Sequence, residues 1–286
     1  MAEFAPKTIL CPVDLSPASA AVLSWARLLA QVFTARVEVL HASWSEPPRY
    51  FLEDQVGRLA AEEKSEIEKL RRSLQQAARK ALGSKTNFEV LVRPGHAVQV
   101  ILEHARRHHP DLIVMGSHGH SGVARLLLGS VAENVVREAD VPMLIVRGEP
   151  LPPEQASLRR VLCPVETSQE SRDCAHLAAS TAKALGAELQ VMQAIEDGAA
   201  DEQARQRLCS WFPQDARRQC SVSEVVRHGN PAEQIILFAR EHAVDLIVLG
   251  AEPHHFLEFS ALGRTAERVM RHSPCSVLLL TGQPET

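Results

Sequence analysis

A repeat constrains this chain more than any other feature. Leu10-Cys-Pro-Val13 returns as Leu162-Cys-Pro-Val165 and Ala35–Ala42 as Ala187–Ala194, both at an offset of 152 residues. Farther on, Val92-Arg-x-Gly95 returns as Val226-Arg-x-Gly229 and Asp111-Leu-Ile-Val114 as Asp245-Leu-Ile-Val248, at an offset of 134. The second copy is 18 residues shorter, and the loss falls between its second and third strands. A tandem duplication limits the answer to two copies of one fold. The 286 residues give each copy enough chain to bury its own core. The expected division is a domain over 1–148, a proline-rich linker over 149–157 and a second domain over 158–286.

Inside the first copy, short apolar runs alternate with amphipathic stretches. Thr8–Asp14, Arg36–Ala42, Phe88–Arg93, Asp111–Met115 and Met143–Val146 read as strands. A helix is predicted from Ser16-Pro17, with Ser16 as N-cap and Val22, Trp25, Ala26 and Leu29 on one face. A second runs through the charged stretch Tyr50–Leu82, with Leu59, Ile67, Leu70, Leu74 and Ala78 inward and a break expected near Gly57. A third follows Pro94-Gly95 to about His109, and a fourth spans Val131–Ala139. Strands joined by helices run parallel through right-handed crossovers, which defines an α/β, open doubly wound domain of five strands. The charges of Tyr50–Leu82 read as the solvated face of a covering helix, the alternative being a surface for a protein partner.

The stretch after the fourth strand carries the chemistry. Gly116, Gly119 and Gly122 are expected to take positive φ and to approach a ligand closely, and Gly129 and Ser130 open the next helix. Free N–H groups and the positive dipole end at a helix start form an anion site, for which phosphate is the natural occupant. The spacing Gly116-x2-Gly119-x9-Gly129-Ser130, between a strand and a helix, resembles the nucleotide loop of the universal stress protein family. The surrounding Gly-Ser-His-Gly and Leu-Gly-Ser-Val-Ala-Glu-Asn-Val-Val are similar to that family too, and the likeness covers nearly the whole chain.

The resemblance implies strand order 3-2-1-4-5, a crevice at the carboxyl ends of strands 1 and 4, and ATP, with or without Mg2+, as the ligand. It places Pro12, Val13 and Asp14 near the adenosine and Ala42 beside the base. Gly116, Gly119, Gly129 and Ser130 surround the phosphates, flanked by Met115, His118, His120 and Val131. Family domains pair through their last strands, so Met143–Val146 and Ser276–Leu280 would form an internal pseudo-dimer, with a homodimer and an unknown protein partner as further expectations. From the residues alone, Asp14 either accepts hydrogen bonds from a ribose or caps the first helix. In the second copy Gly250 and Gly263 remain, but Pro253 replaces the middle glycine, Arg264 the Ser/Thr, and Glu166 stands for Asp14. That copy reads as degenerate, with Arg264 either filling or binding where a phosphate would lie.

The function classes left are a nucleotide-binding regulator, a slow ATP-hydrolysing enzyme of the same fold, or a nucleotide-independent interaction module. No Walker lysine is present, so backbone dipoles, Arg125 and a divalent ion would balance the phosphate charge, and fast phosphoryl transfer is not expected. A net charge of −4 offers no field for nucleic acid. No apolar run approaches the roughly 20 residues of a membrane span and the start carries no signal pattern, so the expected location is cytoplasmic. The six cysteines lack zinc or paired spacing and read as reduced thiols, Cys11 and Cys163 at matched buried strand positions. His104, His108 and His109 read as solvated, and His118 and His120 as loop-shaping or phosphate-touching, not as metal ligands.

Overall fold

The computed structural model describes residues 4–43, 53–118, 128–152, 158–168, 171–195, 201–251 and 263–281, without the side chains of 53–63, 201 and 251. The first copy runs β1 (Thr8–Pro12), α1 (Ala18–Phe33), β2 (Arg36–Ser43), α2 (Glu53–Leu82), β3 (Phe88–Pro94), α3 (Ala97–His108), β4 (Leu112–Gly116), α4 (Ser130–Glu138) and β5 (Met143–Val146). The second runs β6 (Arg160–Pro164), α5 (Ser171–Leu185), β7 (Glu188–Ile195), α6 (Asp201–Trp211), α7 (Gln214–Arg217), β8 (Val222–His228), α8 (Pro231–Glu241), β9 (Leu246–Ala251), α9 (Arg264–His272) and β10 (Ser276–Thr281).

The ten strands among the described residues join one sheet in the order β3-β2-β1-β4-β5-β10-β9-β6-β7-β8. Each half is parallel in the order 3-2-1-4-5, and the halves meet where β5 and β10 pair antiparallel, with Leu144 opposite Leu278. This pairing removes two apolar strand edges that would otherwise template association. Alternation along the strands feeds two cores. Ile9 and Cys11 face α1 and α2, while Leu10 faces α3 and α4, and Val161, Cys163 and Leu162 repeat the pattern. The copies also share local bonds at the far end of the sheet. Asp111 Oδ2 accepts from the N–H groups of Lys7 and Thr8, as Asp245 Oδ2 does from Arg159 and Arg160. Asp111 thus precedes β4, which runs Leu112–Gly116 and not from Asp111 as its apolar run predicts.

Two further readings change. α2 is continuous through Gly57. A helical glycine costs about 1 kcal/mol relative to alanine, which a 30-residue helix anchored by fully buried Leu74, Ala78 and Leu82 absorbs. In the shorter copy, α6 and α7 stand between β7 and β8, where the first copy has α2. At the start of α1, Ser16 contributes no side-chain cap. Asp14 serves the turn instead, its Oδ1 accepting from Ser16 N–H (3.0 Å) and Ser19 Oγ–H (3.1 Å). Leu15 between them takes φ 64°, and its counterpart Thr167 takes 56°, so both copies leave strand 1 through the same left-handed turn.

Candidate functional site

The strand order reverses between β1 and β4, where an open α/β sheet leaves a crevice at the carboxyl ends of its strands. A cavity of about 240 Å³ lies there. Its rim takes Pro12, Val13 and Asp14 from the end of β1, Ala42 from β2, and Met115, Gly116 and His118 from β4 and the residues after it. Gly129, Ser130 and Val131 close it at the start of α4. Of the twelve residues singled out from the sequence, these are the ten that the cavity gathers. Gly119 and His120 lie outside the described residues, as do Gly122 and Arg125.

The floor escaped the sequence reading. Val22 of α1, Leu40 of β2 and Ile101 of α3 form its apolar part, with Ala18, Ser19, Ala97, Ser117 and Ala132 beside them. Ala18 and Val22, like Ala97 and Ile101, are four residues apart on one helix face, a spacing that marks them as inward-facing without telling a cavity wall from core.

Gly116 and Gly129 are needed for close approach, not for backbone freedom. Neither has positive φ, contrary to the expectation for Gly116. A Cβ on Gly116 would sit 3.1 Å from the His118 carbonyl oxygen and 3.5 Å from Val22 Cγ2, and one on Gly129 would sit 3.3 Å from the Ser117 carbonyl oxygen. The same carbonyl accepts from Gly129 N–H at 2.7 Å, which draws the chain after β4 against the start of α4. Ser117 Oγ and His118 Nδ1 are 2.8 Å apart, and His41 Nδ1 donates to the Val13 carbonyl at 2.8 Å, tying the end of β2 to that of β1.

α4 begins without a side-chain cap. The N–H groups of its first turn lack intrahelical acceptors and point, with the positive end of the helix dipole, toward the cavity rim. Asp14 lines the same cavity. Its capping bonds and a ligand role are compatible, since a carboxylate accepts about four hydrogen bonds. Among the described residues no three His, Cys, Asp or Glu side chains converge as a metal site. His104 is not solvated. It is buried, with Nε2 2.7 Å from Glu38 Oε2, and its ring stacks on His108 at 4.2 Å between centroids.

The second copy differs. Gly250, the last residue but one of β9, lies within reach of Cys174, a Cβ there lying 3.7 Å from Cys174 Cβ. Gly263 precedes α9 at φ +69°, where its counterpart Gly129 has φ −68°, so the chain enters the two helices by different routes and only the second requires glycine by conformation. Arg264 is exposed as the first residue of α9, and Glu166 is exposed after β6. Pro253 lies outside the described residues.

Two doubly wound α/β halves sharing one sheet, with a glycine-lined crevice at a switch point, define a tandem open α/β protein. The sequence model described as "Universal stress protein family" matches residues 6–147 and 157–281, and the chain belongs to that family in two tandem copies. A universal stress protein of Methanocaldococcus jannaschii is 32% identical over 146 residues, covering 49% of this chain and 82% of that one. One from Thermus aquaticus is 34% identical over 141 residues, covering 49% and 98%. The crystal structure of a universal stress protein from Archaeoglobus fulgidus aligns with a TM-score of 0.75 at 25% identity, covering 97% of this chain and 98% of that one.

Proposed function

We propose that this universal stress protein is a regulator that binds ATP in its first copy, while the second copy has lost that site. The observation that carries the reading is the meeting of ten sequence-selected residues around one cavity beside an uncapped helix start. The residues suit the ligand. Val22, Leu40 and Ile101 offer an apolar bed for a base, Asp14 accepts from ribose hydroxyls, and the first turn of α4 receives phosphate oxygens. At about 240 Å³ the cavity falls just below the roughly 300–1,000 Å³ of typical ligand pockets, so it takes the nucleoside and leaves the phosphates along the helix start. Magnesium would arrive on the phosphates. With neither a Walker lysine in the sequence nor a convergent metal-ligand group among the described residues, turnover is expected to be slow.

Because β5 and β10 already pair, a homodimer would use other surfaces than the last strands. A cytoplasmic site of action belongs to the same proposal, on cysteines without paired spacing. Calorimetric titration with ATP and magnesium tests the reading in the parent and in Ala42→Phe, whose ring would occupy the cavity. A loss of affinity of tenfold or more at unchanged melting temperature supports it, and equal affinity in the two proteins refutes the placement.

A further inference from the structure

In the second copy two thiols lie side by side where the first copy has one. Cys163 of β6 and Cys174 of α5 are free and buried, with 0% and 2% exposure, and their Sγ atoms are 3.9 Å apart. At the offset of 152, their counterparts are Cys11 and Val22, so a single difference between the copies creates the pair. Its position is specific. Val22 walls the first cavity next to Gly116, and Cys174 stands in the same relation to Gly250. The dithiol therefore lies behind the second copy's counterpart of the ligand crevice.

The two sulfurs have few other attachments. Cys174 Sγ is 3.7 Å from the Val248 carbonyl oxygen, and Cys163 Sγ is 3.9 Å from the Cys174 carbonyl oxygen. The hydrogen bond between the thiols, together with burial, pushes Cys163 well above the ordinary thiol range, so it is held protonated and slow to react. A disulfide needs the sulfurs at about 2.05 Å, so closure requires the pair to move together from 3.9 Å.

We propose that Cys163 and Cys174 form a disulfide-closing site oxidised by hydroperoxides. One sulfur, as thiolate, attacks a peroxide oxygen. The O–O bond breaks, a sulfenic acid forms, and the leaving oxygen takes up the thiol's proton as water or alcohol. The second sulfur then attacks the sulfenic sulfur, the S–S bond forms, and hydroxide leaves with the second thiol's proton as water. The sulfurs together give up two electrons and the peroxide accepts them. Burial keeps the pair from peroxide until the chain opens locally, so closure lags behind oxidation of the exposed Cys209.

The test exposes the full chain to hydrogen peroxide for graded times, blocks the remaining thiols and maps tryptic peptides without reduction. Cleavage after Arg172 separates Cys163, in 161–172, from Cys174, in 173–183. The expected result is that these two peptides are linked within the monomer, lighter by two hydrogens, at least about tenfold later than Cys209 oxidation, and released by dithiothreitol. Cys174→Val, which copies the first repeat, should fold, lose the link and leave Cys209 oxidation unchanged. The proposal fails if both peptides are still unlinked at exposures well beyond that lag, long after Cys209 is consumed. It fails equally if Cys174 ends as sulfinic acid, or if the only bridges run between chains.

Discussion

Replacing His104 by Phe copies what the second repeat carries at the matching place, Phe238, yet it should be among the most damaging single changes in the first. Glu38 and His104 are 3% and 6% exposed and meet at 2.7 Å. Their counterparts are Gln190 and Phe238, so the second copy has replaced the pair as a unit. Removing one partner of a buried pair costs about 3–5 kcal/mol, because the other is left desolvated. The lower end applies here, since Arg36 still holds Glu38 Oε1 at 2.5 Å. At roughly 2–4 °C per kcal/mol for a chain of this size, about 3 kcal/mol lowers the melting temperature by about 6–12 °C. The double variant Glu38→Gln/His104→Phe removes the orphan as well and should lie within about 1.5 kcal/mol of the parent. Urea unfolding of parent, both singles and the double closes the cycle. A His104→Phe single as mild as the double would refute the reasoning.

Three other outcomes follow from the geometry. Gly129→Ala should lose about 1–2 kcal/mol and weaken ATP binding, because its Cβ crowds the Ser117 carbonyl oxygen at 3.3 Å; denaturant unfolding beside ATP titration checks both. The Arg147 guanidinium of the first copy donates to the Met270 and Arg271 carbonyls at the end of α9, so Arg147→Ala removes two charge-assisted bonds worth about 1.5–3 kcal/mol each; calorimetry should resolve one transition into two as the halves uncouple. Burial pushes the Cys275 thiol up to about 11 from 9.0. The unfolded chain therefore loses this proton first, and stability should be fully present below pH 9.0, fall as pH rises toward about 11 and then level off, a slope that Cys275→Ala reduces in urea titrations.

The sequence made the alternation of elements legible because each strand is a short apolar run and each helix carries one apolar stripe. The duplication then served as an internal alignment. The cavity rim was legible for a different reason: Asp14, Gly116 and Gly129 break the local pattern, and the topology brings pattern-breakers at the ends of β1 and β4 together. Val22, Leu40 and Ile101 were not legible, since a residue that lines a cavity and one that fills a core have the same periodicity. Gly57 misled because a local propensity of about 1 kcal/mol was set against tertiary anchoring by Leu74, Ala78 and Leu82. His104 misled because its partner, Glu38, lies 66 positions away on another element. The dithiol was hidden the same way, Cys163 and Cys174 having no motif spacing but a shared interior.

The measurement that bears most directly on the central claim is the number of ATP molecules bound per chain, by equilibrium dialysis in magnesium with saturating nucleotide. One is expected, abolished by Ala42→Phe and untouched by Arg264→Ala. Two per chain would contradict the loss of the second site, and none at millimolar ATP would contradict the nucleotide reading itself.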